Sequence, residues 1–373
     1  MPVPNQNLFA EFSPVTKAEW LAKIEKDLKG RPLSELNWQL DAPLSIAPFL
    51  HAEDFDTKPE PILDNRTANT WSVGEDIEVA DFAAANKQTL AALMAGVNAP
   101  RFVFDAFPTE NQLSKLLENI ELDYISTHFQ EKTENRSPLS FLKNFAQLAG
   151  DKAATLTGAV HYDPFADGRH DVQAATELID WASENLPQFS VITINTERFH
   201  TNTEGVVSEL ANALSAGENY LKRLTDNGLA IDKITPRLAF RFQIGHSYFV
   251  EIAKLRAFKL LWGNVLSAYQ TTPTTPRLFA QTSVLSPDED ANIHKIQATT
   301  EAMSAVIGGI EVLTVAPSEA SDFGRRIARN VQHLLSMESY LDRVADPSAG
   351  SYYIEKLTEQ LAETAWAAFQ NLN

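Results

Sequence analysis

Three places in the sequence put side chains that could take part in catalysis at or just after the ends of predicted β-strands, and two of them carry a histidine. His161 ends one predicted strand, the pair Phe199-His200 follows the next, and Gln281 lies near the end of a later one. An imidazole at such a position can exchange a proton near neutral pH. In α/β barrels the reacting groups sit at the C-terminal ends of the strands, so these residues are candidates for a site. A histidine in such a loop is nevertheless more often a solvated or hydrogen-bonded structural residue.

Arg237 is a candidate of a different kind, because it lies in an otherwise apolar predicted strand. A buried guanidinium without a partner is energetically costly. Arg237 therefore needs either a carboxylate partner within the chain or a bound ligand anion. The sequence leaves both alternatives open.

The signatures of the common enzyme classes are missing from the sequence. We find no Gly-rich phosphate loop ending in Lys-Ser/Thr, no G-x-G-x-x-G after a strand, no H-E-x-x-H and no G-x-S-x-G. None of the eight histidines has a second histidine at ligand spacing, so a metal site is not expected. The absence of cysteine excludes disulfides, thiolate metal sites and thiol nucleophiles, and it fits a reducing compartment.

The elements that must position these candidates alternate in type from residue 70 onward. Short β-rich runs are each followed by a helical run, the pattern of stacked βα units. The predicted strands span residues 70–79, 101–105, 122–127, 156–161, 190–196, 237–244, 277–283 and 311–315. Eight such units predict the α/β class and a (β/α)8 TIM barrel, with a doubly wound sheet as the alternative.

Residues 1–69 differ from this pattern and are predicted to form a helical and extended arm that contacts another subunit. Residues 12–30 have the apolar spacing of an amphipathic helix, and residues 31–69 contain five prolines among scattered apolar residues. Such segments rarely hold their shape alone. The alternative is that the arm folds back on its own barrel. We assign the barrel to residues 70–373.

Composition and charge limit the environments and partners that the chain can have. Hydrophobic residues at 44% and charged residues at 21% are ordinary for a globular protein. The 49 acidic and 31 basic residues give a formal charge of −18, which repels phosphate backbones and anionic membranes. Because neither a signal peptide nor an apolar run of about 20 residues is present, we expect a cytoplasmic protein with no nucleic-acid or membrane partner.

Several segments in the second half resemble the barrel domain of methylmalonyl-CoA mutases. They occur in the family's order and are highly specific when taken together; residues 104–105, 158–163 and 199–200 extend the likeness more faintly. The segments span residues 235–245, 249–256, 261–262, 281–283, 300–303, 322–323, 326–330 and 346–355. This resemblance implies a (β/α)8 barrel whose axis is threaded by the pantetheine chain of coenzyme A, below a face where adenosylcobalamin docks. It also implies radical interconversion of succinyl-CoA and methylmalonyl-CoA, in which cobalt–carbon homolysis is the chemistry of the cofactor.

The resemblance also marks His161, Phe199, Arg237 and Gln281 as family substrate-pocket positions. It marks His200 as the counterpart of a histidine that assists the thioester carbonyl. These residues are either relics of a catalytic pocket or are retained for the fold.

Departures from the family pattern affect the same pocket. Where catalytic chains carry Arg-Gln-Tyr after the first-strand Trp, this chain has Gly74-Glu75-Asp76, and the next helix has no Tyr. A glutamine of the family is replaced by His161, and the segment with a carboxylate-binding Arg is missing near residues 165–171. No histidine follows an aspartate by two positions, so the family's Asp-x-His-x-x-Gly cobalt-ligand motif is absent.

These losses resemble the small subunit of heterodimeric mutases and imply a non-catalytic chain beside a large catalytic subunit. This chain itself is then expected to bind no cofactor, with adenosylcobalamin held in the complex by the partner. One alternative is an active acyl-CoA mutase barrel that works with a separate cobalamin-binding subunit on another acyl-CoA. Another is a vestigial barrel that still binds acyl-CoA without turnover, which would require a clear axial channel. The sequence leaves open whether Asn373 is the natural end or a cut in a linker.

Overall fold

The chain folds into an α/β barrel preceded by a short arm. A computed structural model describes residues 11, 13, 15–41, 44–55, 62, 66–133, 136–166, 169, 171–199, 205–286 and 290–372. The arm contains an antiparallel hairpin of β1 (Trp38–Asp41) and β2 (Leu44–Ile46). The barrel strands are β3 (Ser72–Glu78), β4 (Ala99–Phe104), β5 (Ser126–Glu131), β6 (Thr157–His161), β7 (Phe189–Ser190), β8 (Ile192–Asn195), β9 (Leu238–Ile244), β10 (Arg277–Thr282) and β11 (Val312–Thr314).

Helices follow the barrel strands and cover the outside of the sheet. The helices are α1 (Lys17–Leu28) in the arm, α2 (Phe82–Met94), α3 (Glu110–Leu116), α4 (Leu139–Ala149), α5 (Val172–Asn185), α6 (Val206–Asp226), α7 (Ile231–Ile234), α8 (Tyr248–Ala268), α9 (Ala291–Ile307), α10 (Asp322–Met337) and α11 (Tyr352–Leu372). Their apolar stripes pack on the sheet, and side-chain caps such as Asp81 and Ser321 fix where helices begin.

The parallel sheet closes on itself at a seam between β7 and β8. These two segments are the ends of the strand order β7-β6-β5-β4-β3-β11-β10-β9-β8, and only Val191 separates them in sequence. The Val191 N–H donates to the carbonyl of Arg237 (3.0 Å), and the Thr193 N–H donates to the carbonyl of Tyr162 (3.0 Å). Together β7 and β8 act as the fifth of eight strand positions, which confirms the predicted (β/α)8 barrel.

The third predicted strand was placed too early in the sequence. Residues 122–127 were expected to form it, but Leu122–Tyr124 is a 3-10 turn and the strand is Ser126–Glu131. The error has a physical cause: alternate residues of this strand, His128 and Gln130, are polar and point into the barrel. Apolar periodicity therefore does not mark the strand.

The arm packs partly on its own barrel. Leu44 and Ile46 of the hairpin are buried in the main core, and β2 lies against α11. Helix α1 begins later than predicted, at Lys17, with Thr16 as its cap, and Leu28 is its only buried residue. The other large apolar residues of α1, Trp20, Leu21 and Ile24, are only partly buried.

A buried ionic cluster fastens the C-terminal helix to the barrel. Arg256 of α8 forms ion pairs with Asp346 and with Glu355 (2.8 Å), and its Nη1 donates to the hydroxyl of Ser348 (3.0 Å). The N–H of Ile62 in the arm also donates to Asp346 (3.3 Å). The conspicuous Asp346–Glu355 sequence is therefore a structural clamp that holds α11 and the end of the arm.

Membrane insertion finds no support in the helices. Within the part of the chain that the structure describes, none of them combines the length and apolar character that a membrane crossing requires.

Replacing Arg256 by methionine is expected to lower the free energy of unfolding by about 3–5 kcal/mol, because two buried carboxylates lose their cation. Urea denaturation measures this loss, and hydrogen exchange should show α11 losing protection first. Arg343, whose side chain is largely exposed beside Asp342, provides the control: Arg343→Ala should change stability by less than about 0.5 kcal/mol. A loss below about 1 kcal/mol for Arg256→Met would contradict the clamp.

Candidate functional site

Inward-pointing side chains close the barrel axis. Alternate residues of each strand point inward, and here several of them are large or charged. The void that they enclose measures about 10 Å³, no more than the space needed for one water molecule. It is lined by Ala99, Arg101, His128, His161, Arg241, Phe279, Ala280, Val312 and Thr314.

Strand β10 supplies three side chains that block the axis at successive depths. At the N-terminal mouth Arg277 pairs with Glu311, and its Nη1 donates to the hydroxyl of Ser190 across the mouth (2.9 Å). Phe279 occupies the middle, with its ring centroid 5.0 Å from that of His128. Gln281 lies at the C-terminal end of the same row.

A guanidinium–carboxylate pair closes the C-terminal end of the axis. Arg101 Nε and Nη2 donate to the two carboxylate oxygens of Asp76 (2.8 and 2.6 Å), and Nη2 also donates to Gln281 Oε1 (2.9 Å). This bidentate geometry uses both oxygens of Asp76. The contacts join β3, β4 and β10 across the barrel, so Gln281 is engaged within the chain.

His161 forms a buried pair with His128 in the same layer. The two rings approach to 3.3 Å between His128 Nδ1 and His161 Nε2, and His128 Nε2 also contacts Ser126 Oγ (3.0 Å). Burial, and then the nearby positive charges of Arg277 and Arg101, lower the pKa of His128 to about 3. Burial, followed by the charges of Arg101, His128 and Arg241, lowers the pKa of His161 well below its usual value. Both imidazoles are therefore neutral near pH 7.

Phe199 lies outside the axis, on the C-terminal face of the barrel. It ends the 3-10 turn Thr196–Phe199, and the guanidinium carbon of Arg198 is 4.7 Å from its ring centroid. The two side chains line an open groove of about 540 Å³ above α6. The neighbouring candidate, His200, lies outside the described residues.

A buried ionic triad supports the turn that carries Phe199. Lys254 of α8 pairs with Glu209 (3.1 Å) and Glu251 (2.7 Å), and Thr196 Oγ1 donates to Glu209 Oε1 (3.0 Å). Burial raises the pKa of Glu251. Burial also opposes the charge on Lys254, but the neighbouring carboxylates of Glu209 and Glu251 outweigh it and raise the pKa of Lys254. The turn is thus fixed by groups that lie beneath the face.

Arg237 lies at the opposite end of the barrel from His161 and Gln281. It is the last residue of a 3-10 turn and directly precedes β9, so it faces the N-terminal mouth. Its guanidinium is buried and donates only to the carbonyl of Pro236 (3.4 Å); no carboxylate within the described residues pairs with it. Burial, and then the charge of Arg277, lower the pKa of Arg237. The carboxylate partner considered from the sequence is thus not found in the described part, and a ligand anion remains the alternative.

The C-terminal face contains a second, smaller cavity of about 280 Å³ between the barrel and α10. Gly74, Asp76 and Gln281 form part of its lining, together with Thr314 and Arg329. Arg329 pairs with Glu75, while Asp76 and Gln281 belong to the closure described above. No group of three or more potential metal ligands occurs among the described residues.

The sequence analysis missed most of the residues that fill the axis. His128 lay one residue beyond the misplaced third strand, and Arg101 and Asp76 were not identified as a pair. The alternation of side chains along a strand could have identified some of them, because Asp76, Arg101 and Phe279 all occupy alternate positions that point into the barrel. Their mutual contacts depend on sheet register, which a single sequence does not reveal.

Comparisons with known proteins identify relatives over nearly the whole chain. A family model described as methylmalonyl-CoA mutase matches residues 106–373. The chain is 34% identical to the methylmalonyl-CoA mutase small subunit of Porphyromonas gingivalis, over 98% of this chain and 64% of that protein. It is 28% identical to the small subunit of Streptomyces virginiae, over 100% of this chain and 66% of that protein. It therefore spans slightly less than two thirds of the length of these relatives.

Two further comparisons differ in kind. The methylmalonyl-CoA mutase large subunit of Porphyromonas gingivalis is 35% identical, over 63% of this chain and 35% of that protein. The solved dihydropteroate synthase of Yersinia pestis has a TM-score of 0.41 at 11% identity, over 70% of this chain and 93% of that one, which is too distant to inform function.

The buried histidine pair should make the stability of the fold depend on pH. As pH falls below 6.5, the unfolded chain takes up a proton that folded His128 accepts only near pH 3, so stability decreases across this window. At pH 5 the cost is about 2 kcal/mol for His128. Urea denaturation of the unmodified chain and of His128→Asn at pH 7 and 5 measures it: the variant should lose about 2 kcal/mol less. Equal losses in both proteins would contradict a buried neutral His128.

Proposed function

The chain belongs to the methylmalonyl-CoA mutase family, and we propose that it is the small, non-catalytic subunit of an adenosylcobalamin-dependent mutase. A large partner subunit would then carry out the interconversion of succinyl-CoA and methylmalonyl-CoA. The single observation that carries this proposal is the closure of the barrel axis. A pantetheine chain has to occupy the space that Phe279, Arg101 and the two buried histidines fill.

Residues at the family pocket positions support the same reading. Gln281 accepts a hydrogen bond from Arg101, and His161 contacts His128, so both are engaged inside the chain. We infer that these are relics now used for packing. Arg237 and Phe199 face the two ends of the barrel and could each touch a ligand only from outside the axis.

The closure also argues against the two alternative functions. An active barrel served by a separate cobalamin-binding subunit would need room for the acyl-CoA whose rearrangement it assists. A vestigial barrel that retains acyl-CoA would need the same room. A void of about 10 Å³ offers neither.

We assign adenosylcobalamin to the large subunit. This cofactor supplies the radical when bound, and its usefulness depends on a substrate held directly beneath it. In this chain the residues beneath the C-terminal face are Asp76, Arg101 and Gln281, which are bound to one another. They do not fit a site for an acyl group, so no catalytic step is assigned to this barrel.

The partner is proposed to be the large catalytic subunit, in a cytoplasmic heterodimer. The Porphyromonas gingivalis relatives carry the names small and large subunit, and both are similar to this chain. Residues 1–69 are proposed to contact the partner. Trp20, Leu21 and Ile24 on α1 are only partly buried, and together with exposed Trp38 and Phe49 they offer apolar surface for that contact.

A mutase assay tests the proposal directly. The chain alone, supplied with adenosylcobalamin and methylmalonyl-CoA, should show no turnover, because its axis admits no substrate. Mixed with the large subunit from the same source, it should elute as a one-to-one complex in size-exclusion chromatography, and that complex should be active. Turnover by the chain alone would overturn the proposal.

A direct measurement of coenzyme A binding distinguishes a closed barrel axis from other causes of inactivity. Equilibrium dialysis with the isolated chain should detect no saturable coenzyme A binding up to about 1 mM, the range of the weakest physiological substrate affinities. The large subunit is the positive control. Saturable micromolar binding by this chain would show that the axis opens in solution.

A further inference from the structure

The outer faces of α9 and α10 expose large apolar side chains that a soluble barrel normally turns inward. Ile296 and Met337 are 69% and 68% exposed, and Ile293, Phe323 and Leu334 are each about half exposed. Leu334 and Met337 lie about three and four helical turns after Phe323, so all three are on one side of α10. We call these five residues the α9–α10 face.

The two helices present one continuous surface at their N-terminal ends. Lys295 of α9 lies with its ammonium nitrogen 5.9 Å from the ring centroid of Phe323 on α10. The guanidinium carbon of Arg326 is 5.3 Å from the same ring. Phe323 is therefore an exposed aromatic ring bordered by two cations from neighbouring helices.

Among the described residues, the opposite side of the barrel lacks such a surface. Between Glu110 and Ile234, the described residues include only Tyr124 and Leu148 as exposed large apolar side chains, and these two stand apart in different elements. Single exposed apolar residues are normal on a protein surface, whereas a cluster calls for an explanation.

The size of the α9–α10 face is appropriate for a protein interface. Taking about 200 Å² for a fully exposed side chain of this kind, the five residues together expose roughly 600 Å², spread over about 20 Å along α10. A standard interface covers about 800 Å² on each partner and is about 65% apolar in its core. The face therefore supplies the apolar content of one standard interface.

The charges bordering this face are unusual for so acidic a chain. The sequence has 49 acidic and 31 basic residues, yet Lys295 and Arg326 have no carboxylate at ion-pair distance within the described residues. Arg325, one position earlier, forms an ion pair with Asp322. Since no carboxylate among the described residues pairs with them, the two cations beside Phe323 fit carboxylates supplied by another molecule.

We propose that the α9–α10 face is the surface on which the large mutase subunit docks, with apolar residues against the five side chains and carboxylates opposite Lys295 and Arg326. This inference rests on the proposed function, because it takes the large subunit as the partner. The large-subunit relative resembles 63% of this chain, so the partner is a chain of the same family that can meet it about a pseudo-twofold axis.

Affinity measurements with single-residue variants test this surface. Ile296→Asp and Met337→Asp each place a charge in the face at a largely exposed position, which leaves the fold intact. Each should weaken binding of the large subunit at least about tenfold, measured by surface plasmon resonance. Tyr124→Asp, at an 82% exposed position on the other side, is the matched control and should bind like the unmodified chain.

The outcomes separate the two proposals. No binding by the unmodified chain would overturn the proposed function and this inference with it. Normal binding by the unmodified chain and by both face variants would overturn the docking surface alone. Self-association of the isolated chain that Met337→Asp abolishes would assign the face to a second copy and also overturn the proposal.

The charged border provides an independent readout. Reversing both cations in Lys295→Glu/Arg326→Glu should slow association with the large subunit several-fold at low salt and flatten its salt dependence, because border charges act mainly on the encounter rate. An unchanged association rate and salt dependence would contradict the predicted carboxylates on the partner.

Discussion

The ion pair between Arg101 and Asp76 determines what the interior of this barrel can be. A guanidinium inside a barrel is costly without a partner, and Asp76 binds that of Arg101 with both carboxylate oxygens. Removal of Asp76 would leave the buried charge of Arg101 uncompensated and would destabilise the barrel. With the pair in place, Gln281 is drawn into the same network, and the remaining layers of Phe279 and histidine pack beneath it. The barrel is consequently a filled core and not a channel.

Many of the residues through which this sequence resembles the family stabilise the fold. Arg256, Asp346 and Glu355 belong to matching segments, and together they fasten α11 to α8. Glu301, from another matching segment, accepts hydrogen bonds from the Ser283 backbone and hydroxyl and lies 2.6 Å from His246. Such interactions stabilise the barrel whether or not it binds substrate. Their presence therefore indicates ancestry and fold, while function has to be inferred from the axis.

The order of elements could be predicted from the sequence, because apolar strands alternate with amphipathic helices in most of the chain. The fourth unit is an example, since its apolar Ala175, Leu178, Ile179 and Ala182 recur at helical spacing and are buried on one side of α5. The prediction was wrong where the interior is polar, as in β5, whose inward residues hide its strand character. The candidate site was even harder to predict from the sequence. His161 and Gln281 were identified singly, but their partners His128 and Arg101 come from neighbouring or opposite strands and become visible only with sheet register.

A filled axis limits the number of substrate molecules that a heterodimer of this kind can bind. Two barrels of one family would stand side by side, yet only the open one could take up an acyl-CoA. On the proposed assignment the complex therefore saturates at one substrate molecule for every two chains. Cooperativity between paired active sites is then impossible within the heterodimer, and any influence of this chain on turnover must pass through the contact between the subunits.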